Sequence, residues 1–86
     1  MLRIGYKPAF LRMLKKLHPA LQEEVKERIA LFQEDPDHAS LRAHKLKGIL
    51  KGRWSFSVNY SYRVVFIYEG KSVVVLLAVG NHSIYD

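Results

Sequence analysis

The stretch Gly52–Asp86, GRWSFSVNYSYRVVFIYEGKSVVVLLAVGNHSIYD, decides the fold, because it contains three successive patterns typical of β-strands. In residues 54–60 apolar and polar side chains alternate, which predicts a strand with one apolar and one polar face. In the centre of residues 62–68 the side chains that point to either face of a strand are apolar, so both faces of that strand should be largely covered. Residues 73–79 are apolar throughout and predict a central strand. Glu69–Lys71 predicts a short hairpin loop between the last two.

The first half of the chain predicts a strand followed by two helices. Residues 1–6 alternate in the period of a strand with one buried face. Apolar side chains then recur at helical spacing over Pro8–Leu17 and again after Pro19, and each proline suits the first turn of a helix. His18 precedes proline and therefore avoids the helical region, which separates the two helices. Asp35–Asp37 ends the second, so we expect an antiparallel helical hairpin.

A helical hairpin with one apolar face needs a sheet to pack on. The sequence therefore predicts one α+β domain over residues 1–86. It would contain an N-terminal strand and an antiparallel two-helix hairpin on one face of a mainly antiparallel four-stranded sheet. The basic connector 38–51 is also compatible with a short strand around His44–Leu46.

The composition gives no sign of export or of a membrane. There is no cysteine, so nothing indicates an oxidising compartment. No apolar run approaches the roughly 18 residues of a membrane span. The N-terminus lacks the apolar segment of a signal peptide. We therefore expect a cytoplasmic protein.

The charge is the first indication of function. Fourteen Lys and Arg against eight Asp and Glu give a net charge of +6. Six of the eight acids lie between Glu23 and Asp37, whereas residues 38–68 and 3–16 contain none. This distribution favours a polyanionic partner, either a nucleic acid or an acidic protein.

Several chemistries have no support in the sequence. No two histidines have the spacing of metal ligands, and no cysteine supports them, so we expect no metal and no cofactor. The chain has no glycine-rich phosphate loop and no nucleophile elbow. The histidines are His18, His38, His44 and His82.

Three polar residues near the C-terminus are candidates for a site, and each has an ordinary alternative. Arg63 either lies at a strand end, paired with Glu69 or Asp86, or presents its guanidinium to a phosphate. His82 is either a surface residue or a group that transfers protons near neutral pH. Tyr85 could stack on a base, donate a proton or cover the core.

Two segments resemble a known family. The strand YRVVF at residues 62–66 and the closing GNHSIYD at residues 80–86 resemble the Y-R-[LIV]-V-[YF] and G-x-H-x-x-Y elements of the RelE/ParE toxin superfamily of bacterial toxin–antitoxin systems. The helical hairpin and the chain length agree with that family, so the resemblance covers essentially the whole chain.

The resemblance implies a toxin that inhibits translation as a ribosome-dependent mRNA endonuclease. In such enzymes the RNA 2′-OH attacks the adjacent phosphate without a metal. Arg63 then matches the arginine that contacts the phosphate, His82 the histidine that acts as acid or base, and Tyr85 the tyrosine that orients a base. The implied partners are a cognate antitoxin, the ribosome and mRNA. Further RNA-binding candidates are His44, Lys45, Lys47 and Arg53.

The chain departs from the family pattern in one respect that affects the chemistry. Some members carry two lysines on the strand before the arginine, at positions assigned here to Trp54 and Phe56. A general base would then have to be His82 or His44. Relatives with the same fold poison DNA gyrase without cleaving RNA. A gyrase inhibitor, or a degenerate toxin that only binds its antitoxin, therefore remains an alternative.

Overall fold

A computed structural model describes residues 1–48 and 52–81. Within them the chain forms two helices, five strands and a single turn of 3₁₀ helix at Ala39–Leu41. In chain order the elements are β1 (Arg3–Tyr6), α1 (Pro8–Lys15), α2 (Pro19–Glu34), β2 (His44–Lys45), β3 (Trp54–Ser57), β4 (Arg63–Tyr68) and β5 (Val73–Gly80).

The strands form one sheet in the order β1-β5-β4-β3-β2. β1 runs parallel to β5, and the other neighbours are antiparallel. The predicted α+β class is confirmed, and β5 is an interior strand between β1 and β4, although the middle strand of the sheet is β4. The sheet has five strands rather than four, because His44 and Lys45 pair with Ser55 and Trp54. Two residues are too few to show alternation, so the sequence could only suggest this strand.

The pairing of β4 with β5 contains an irregularity. Val65 pairs with Ala78 and Phe66 with Leu76, so Leu77 is an extra residue on β5. Such a bulge bends its strand and increases the local twist. β5 ends at Gly80, directly opposite Arg63. The chain therefore leaves the sheet beside this arginine.

The helices form where the sequence predicts them, although α1 is shorter than expected. It ends at Lys15 instead of Leu17, and the N–H of Lys16 donates to the carbonyl of Met13 in a tighter turn. His18 then begins α2, because its Nδ1 accepts a hydrogen bond from the N–H of Ala20 at 3.1 Å. Within the described residues neither helix is long and apolar enough to cross a membrane.

The core lies between the helices and one face of the sheet. Phe32 of α2 packs between Phe56 and Phe66, with ring centroids 4.6 and 4.8 Å apart. All three side chains are fully buried. The helices therefore cover the face that carries Phe56 and Phe66, as predicted. Since successive side chains of a strand alternate, Ser57 and Arg63 belong to the opposite face.

Candidate nucleic-acid interface

Arg63 is held beside a hairpin loop at the start of β4. Its Nη1 donates to the carbonyls of Asn59 at 2.9 Å, Tyr62 at 3.2 Å and Tyr60 at 3.4 Å. Its Nε and Nη2 have no hydrogen-bond partner in the part of the chain that the structure describes. The guanidinium is thus fixed through one nitrogen, and its other donors remain available to a ligand. The sequence-based alternative of a pair with Glu69 is not formed.

Arg28 of α2 reaches the same end of the sheet. Its Nε donates to the carbonyl of Ser57 at 3.2 Å. Its terminal nitrogens donate to the hydroxyl and the carbonyl of Ser40, at 3.1 and 2.8 Å. The side chain therefore joins α2 to β3 and to the 3₁₀ turn. All these partners are neutral, and within the described residues no carboxylate forms an ion pair with Arg28.

These contacts replace an ion pair that the sequence suggests. Glu24 and Arg28 are four residues apart on α2, a spacing that favours a salt bridge. Instead, the Oε1 of Glu24 accepts a hydrogen bond from the Nδ2 of Asn59 at 2.8 Å. The ion pair found within the described residues is the exposed Lys26–Glu23 pair, at 3.7 Å.

Three arginines surround one groove at this end of the sheet. The groove has a volume of about 450 Å³, and the described residues that line it include no acid. We call it the arginine groove. Its lining residues are Arg28, Ser40, Arg42, Ser57, Val58, Asn59, Tyr60 and Arg63. Positive charges that are close together and unpaired attract a phosphate, and the planar guanidinium suits bidentate contact with one.

Arg42 enters the arginine groove from an unusual backbone position. It follows the 3₁₀ turn with φ 50° and ψ 41°, in the left-handed region, and its N–H donates to the carbonyl of Ala39 at 3.3 Å. Residues other than glycine are strained in this region. The side chain is exposed. The turn therefore holds an arginine where glycine would be favoured.

The β3–β4 loop at the edge of the arginine groove is fixed by hydrogen bonds. The Oδ1 of Asn59 accepts from the N–H groups of Ser61 and Tyr62, both at 2.9 Å. The N–H of Val58 donates to the carbonyl of Tyr62 at 2.9 Å. On this loop the side chain of Tyr60 is 93% exposed. A large aromatic ring thus projects into solvent from a well-ordered backbone.

A second basic groove lies on the sheet face that the helices do not cover, beside the start of α1. Lys7, Arg12 and Arg53 form its basic rim, and its volume is about 490 Å³. We call it the lysine–arginine groove. Its remaining lining is Pro8, Ala9, Val65, Leu77 and Ala78. Apolar side chains therefore form most of its floor.

His44 shares a sheet face with Arg63. It pairs with Ser55, which pairs with Val65, two residues along β4 from Arg63. Strand spacing puts the Cα atoms of His44 and Arg63 roughly 12 Å apart. The Nδ1 of His44 lies 2.8 Å from the carbonyl of Arg42. Since a carbonyl only accepts, this nitrogen carries the proton, and Nε2 of the neutral ring is left as a base.

The other predicted RNA-binding residues are not all close to Arg63. Lys45 belongs to the opposite face, with its Nζ 5.7 Å from the ring centroid of Trp54. Lys47 is exposed. Arg53 is in the lysine–arginine groove, about 13 Å along the strand direction from Arg63. The structure thus places His44 and Arg53 on the same sheet face as Arg63, with Arg53 far from it along the strand, and it places Lys45 on the opposite face.

The structure corrects the two positions that the sequence analysis assigned to the lysines of other family members. Trp54 and Phe56 face the helices and cannot share a face with Arg63. The β3 residues that do are Ser55 and Ser57, both buried. No lysine lies on this face of β3. A general base would therefore still have to be His82 or His44.

Two of the three candidate catalytic residues, His82 and Tyr85, lie outside the described residues. Their roles therefore stay predictions. No group of three or more His, Asp or Glu side chains clusters as a metal site within residues 1–48 and 52–81.

A smaller niche beside Trp54 contains Tyr68. Burial raises the pKa of the Tyr68 phenol above its ordinary value, and the nearby Asp37 carboxylate raises it further. The rings of Trp54 and Tyr68 meet edge to face, with centroids 5.2 Å apart. Tyr68 therefore stays neutral at physiological pH and contributes packing and a hydroxyl group.

Solved structures share this architecture over nearly the whole chain. YafQ from E. coli strain BL21(DE3) superimposes with a TM-score of 0.79 at 16% identity, covering 99% of this chain and 98% of that one. The RelBE2 toxin–antitoxin complex from Mycobacterium tuberculosis gives 0.78 at 22% identity, covering 94% and 98%. The YoeB–YefM complex from Staphylococcus aureus gives 0.73 at 17% identity, covering 95% and 98%. The chain thus has the fold of these toxins.

A comparison of the sequence with family models identifies the family of toxins. The family described as "ParE toxin of type II toxin-antitoxin system, parDE" matches residues 4–84. The chain therefore belongs to the ParE toxin family, as the resemblance to the RelE/ParE superfamily predicted. No curated protein sequence matches it significantly.

Sequence reasoning missed part of the arginine groove. Arg28 was assigned to a local helix pair, and Tyr60 to the polar–apolar alternation of a strand. Arg42 lies in the acid-free stretch 38–68, which predicts a polyanionic partner but does not single out this arginine. The alternation continues to residue 60, so it predicts Tyr60 in the strand, whereas β3 ends at Ser57 and Tyr60 lies in the loop that follows.

Proposed function

We propose that this toxin is a ribosome-dependent mRNA endonuclease that inhibits translation in the cytoplasm. The observation that carries the proposal is the arginine groove. Among the described residues, Arg28, Arg42 and Arg63 line one cavity that has no carboxylate in its lining, and two nitrogens of Arg63 have no partner. Such a site suits an RNA phosphate that gains negative charge during cleavage. The fold shared with YafQ and with the toxin of RelBE2 is consistent with it.

The reaction needs no group beyond the RNA and the protein. The 2′-oxygen forms a bond to the adjacent phosphorus, and the bond from phosphorus to the 5′-oxygen breaks. A base takes the proton of the 2′-OH, and an acid protonates the departing 5′-oxygen. The products are a 2′,3′-cyclic phosphate and a 5′-hydroxyl. The protein must hold the three reacting atoms in line and stabilise the added charge.

Each candidate residue has a defined role in this proposal. Arg63 binds the non-bridging phosphate oxygens and stabilises their charge in the transition state. His82 transfers a proton, and His44, whose Nε2 has no hydrogen-bond partner in residues 1–48 and 52–81, is the second candidate base. Tyr85 orients a base of the RNA. One residue separates His82 from Gly80, the β5 residue opposite Arg63.

The partner that controls the toxin would be a cognate antitoxin. Relatives have been crystallised with theirs, as in the YoeB–YefM and DinJ–YafQ complexes. The lysine–arginine groove combines an apolar floor with a basic rim, which fits an acidic amphipathic segment that folds on binding. Lys7, Arg12 and Arg53 would then face its carboxylates.

The name of the matched family favours one other function. The chain belongs to the ParE toxin family, and the resemblance to the superfamily also implies the alternative of a DNA gyrase inhibitor, for which a basic groove suits a DNA phosphate. A gyrase inhibitor needs neither a 2′-OH nor a proton-transfer group. RNA cleavage products therefore discriminate between the two functions.

The test is to induce the protein in a bacterial host and map new mRNA 5′ ends. We expect translation-dependent ends that carry a 5′-hydroxyl and that disappear in Arg63→Ala and His82→Ala, but persist in the matched control Arg53→Ala. Intact mRNA together with gyrase-linked DNA breaks would overturn the proposal in favour of the alternative. Unchanged cutting by His82→Ala would remove that residue from the mechanism and leave His44 as the base.

A further inference from the structure

We propose that Tyr60 is a positioning residue whose ring stacks on an unpaired RNA base next to the phosphate bound by Arg63. The inference rests on the proposed RNA-cleaving function and assigns a residue that neither the sequence motif nor the family resemblance includes. The stacking role and the nuclease function can be tested separately, because stacking affects the binding of RNA, whereas the cleavage chemistry depends on other residues.

The position of Tyr60 is the first argument. Tyr60 is 93% exposed, and it shares the arginine groove with Arg28, Arg42 and Arg63. Its carbonyl lies 3.4 Å from the Nη1 of Arg63. A nucleotide whose phosphate reached the free nitrogens of Arg63 would therefore have its base, or the neighbouring base, within the span of this ring.

The rigidity of the loop is the second argument. Stacking is effective when the aromatic group is held in place before the ligand arrives, because less conformational entropy is then lost. Asn59 fixes the loop through both ends of its amide, with Glu24 on one side and Tyr62 on the other. Arg63 binds the Asn59 carbonyl from the opposite direction. The hydrogen bonds order the backbone while the Tyr60 ring stays free of ring contacts within the described residues.

The composition of the groove is the third argument. Proteins that bind single-stranded nucleic acid combine cations along the backbone with aromatic rings for the bases. The arginine groove contains both elements. The described residues that line the lysine–arginine groove include cations but no aromatic side chain. Stacking by Tyr60 therefore favours an RNA single strand in the arginine groove over the other basic surface.

The primary experiment measures single-turnover cleavage of mRNA on programmed ribosomes at increasing toxin concentration. We expect Tyr60→Ala to raise the half-saturating concentration about 5- to 100-fold, while the rate at saturation stays within about threefold. Tyr60→Trp should restore wild-type saturation, because the indole also stacks. An exposed tyrosine distant from the groove, Tyr6, supplies the control Tyr6→Phe, which should behave as wild type.

A second measurement distinguishes stacking from a structural effect. The affinity for a fluorescent single-stranded RNA octamer is measured over a range of salt concentrations. Because stacking is uncharged, Tyr60→Ala should weaken binding without changing the dependence on salt. Arg42→Ala should reduce the slope of log affinity against log salt by about 0.7. Thermal unfolding of both variants should match the wild type.

The outcomes separate the two proposals. Equal half-saturation and equal octamer affinity for Tyr60→Ala and wild type would overturn the stacking role, even if Arg63→Ala shows that the protein is a nuclease. A wild type that binds the octamer through Tyr60 but never cuts mRNA would overturn the nuclease and retain the stacking residue. A wild type that neither binds RNA nor cuts it would overturn both.

Discussion

The two basic grooves differ in how their cations are held. In the arginine groove the guanidinium of Arg28 is fixed by carbonyl and hydroxyl oxygens, and that of Arg63 by carbonyls of the adjacent loop. In the lysine–arginine groove the side chains of Lys7, Arg12 and Arg53 are exposed, and no hydrogen bond is found for them within the described residues. Two of the three cations of the arginine groove are therefore held in place, whereas those of the lysine–arginine groove have no such anchor within the described residues.

This difference indicates two kinds of ligand. A fixed guanidinium can stabilise charge at a defined point, which is what a reacting phosphate requires. Cations without such anchors around an apolar floor give a salt-dependent attraction that tolerates many geometries, which suits a protein segment that folds on the surface. Net charge alone, which is similar in both grooves, does not distinguish them.

The largest expected effect is on cleavage. Arg63→Ala should lower the rate of ribosome-programmed mRNA cleavage about 100- to 1000-fold, because the charge of the transition state loses a positioned donor. Arg63→Lys should recover little, since an ammonium cannot reproduce the planar fork. Arg53→Ala, the control from the other groove, should stay within about threefold of wild type. Comparable losses in Arg53→Ala and Arg63→Ala would show that the two grooves act as one surface.

The next effect is on stability. Arg28→Ala should lower the free energy of unfolding by about 2 kcal/mol, because the carbonyl of Ser57 and both oxygens of Ser40 lose a charged donor. Arg12→Ala is the matched control from the other groove, also on a helix, and should change it by less than about 0.5 kcal/mol. Urea unfolding measures both. Equal destabilisation would contradict the view that only the arginine groove is built on anchored side chains.

A smaller effect concerns association with an antitoxin. Reversing the rim charge by Arg12→Glu should slow association with the purified antitoxin about tenfold at low salt, and the difference should shrink as salt increases. Cleavage by the free toxin should be unchanged. Arg42→Glu provides the comparison from the arginine groove. If Arg42→Glu slows association more than Arg12→Glu does, the antitoxin covers the arginine groove and not the lysine–arginine groove.

The smallest effect is expected at Arg42. In Arg42→Gly the left-handed backbone loses its strain, while the unfolded chain gains freedom, so stability should stay within about 1 kcal/mol of wild type. RNA binding should weaken about threefold, because one cation is lost. Thermal unfolding and octamer binding measure the two quantities. A large loss of stability would mean that the arginine side chain, and not the backbone position, holds this turn.

The sequence predicted much of the architecture because its signals are local. Each pattern shows which faces of its own element are buried. These patterns are the alternation over residues 1–6 and 54–60, the helical spacing after Pro8 and Pro19, and the continuous apolar run at 73–79. The short strand His44–Lys45 escaped a firm prediction, because two residues have no measurable period. The chain could also not reveal that β3 stops at Ser57 and releases the loop that carries Tyr60.

The sequence by itself therefore determined the fold class and the family, and it predicted Arg63 as a candidate site residue. Only the tertiary structure decided which residues accompany it. Arg28, Arg42 and Arg63 are far apart along the chain, and no periodicity relates them. The local spacing of Glu24 and Arg28 predicted an ion pair, but tertiary partners on β3, the loop and the 3₁₀ turn offered both side chains other hydrogen bonds. Since a site depends on distances in space, contacts of this kind follow from packing and not from sequence spacing.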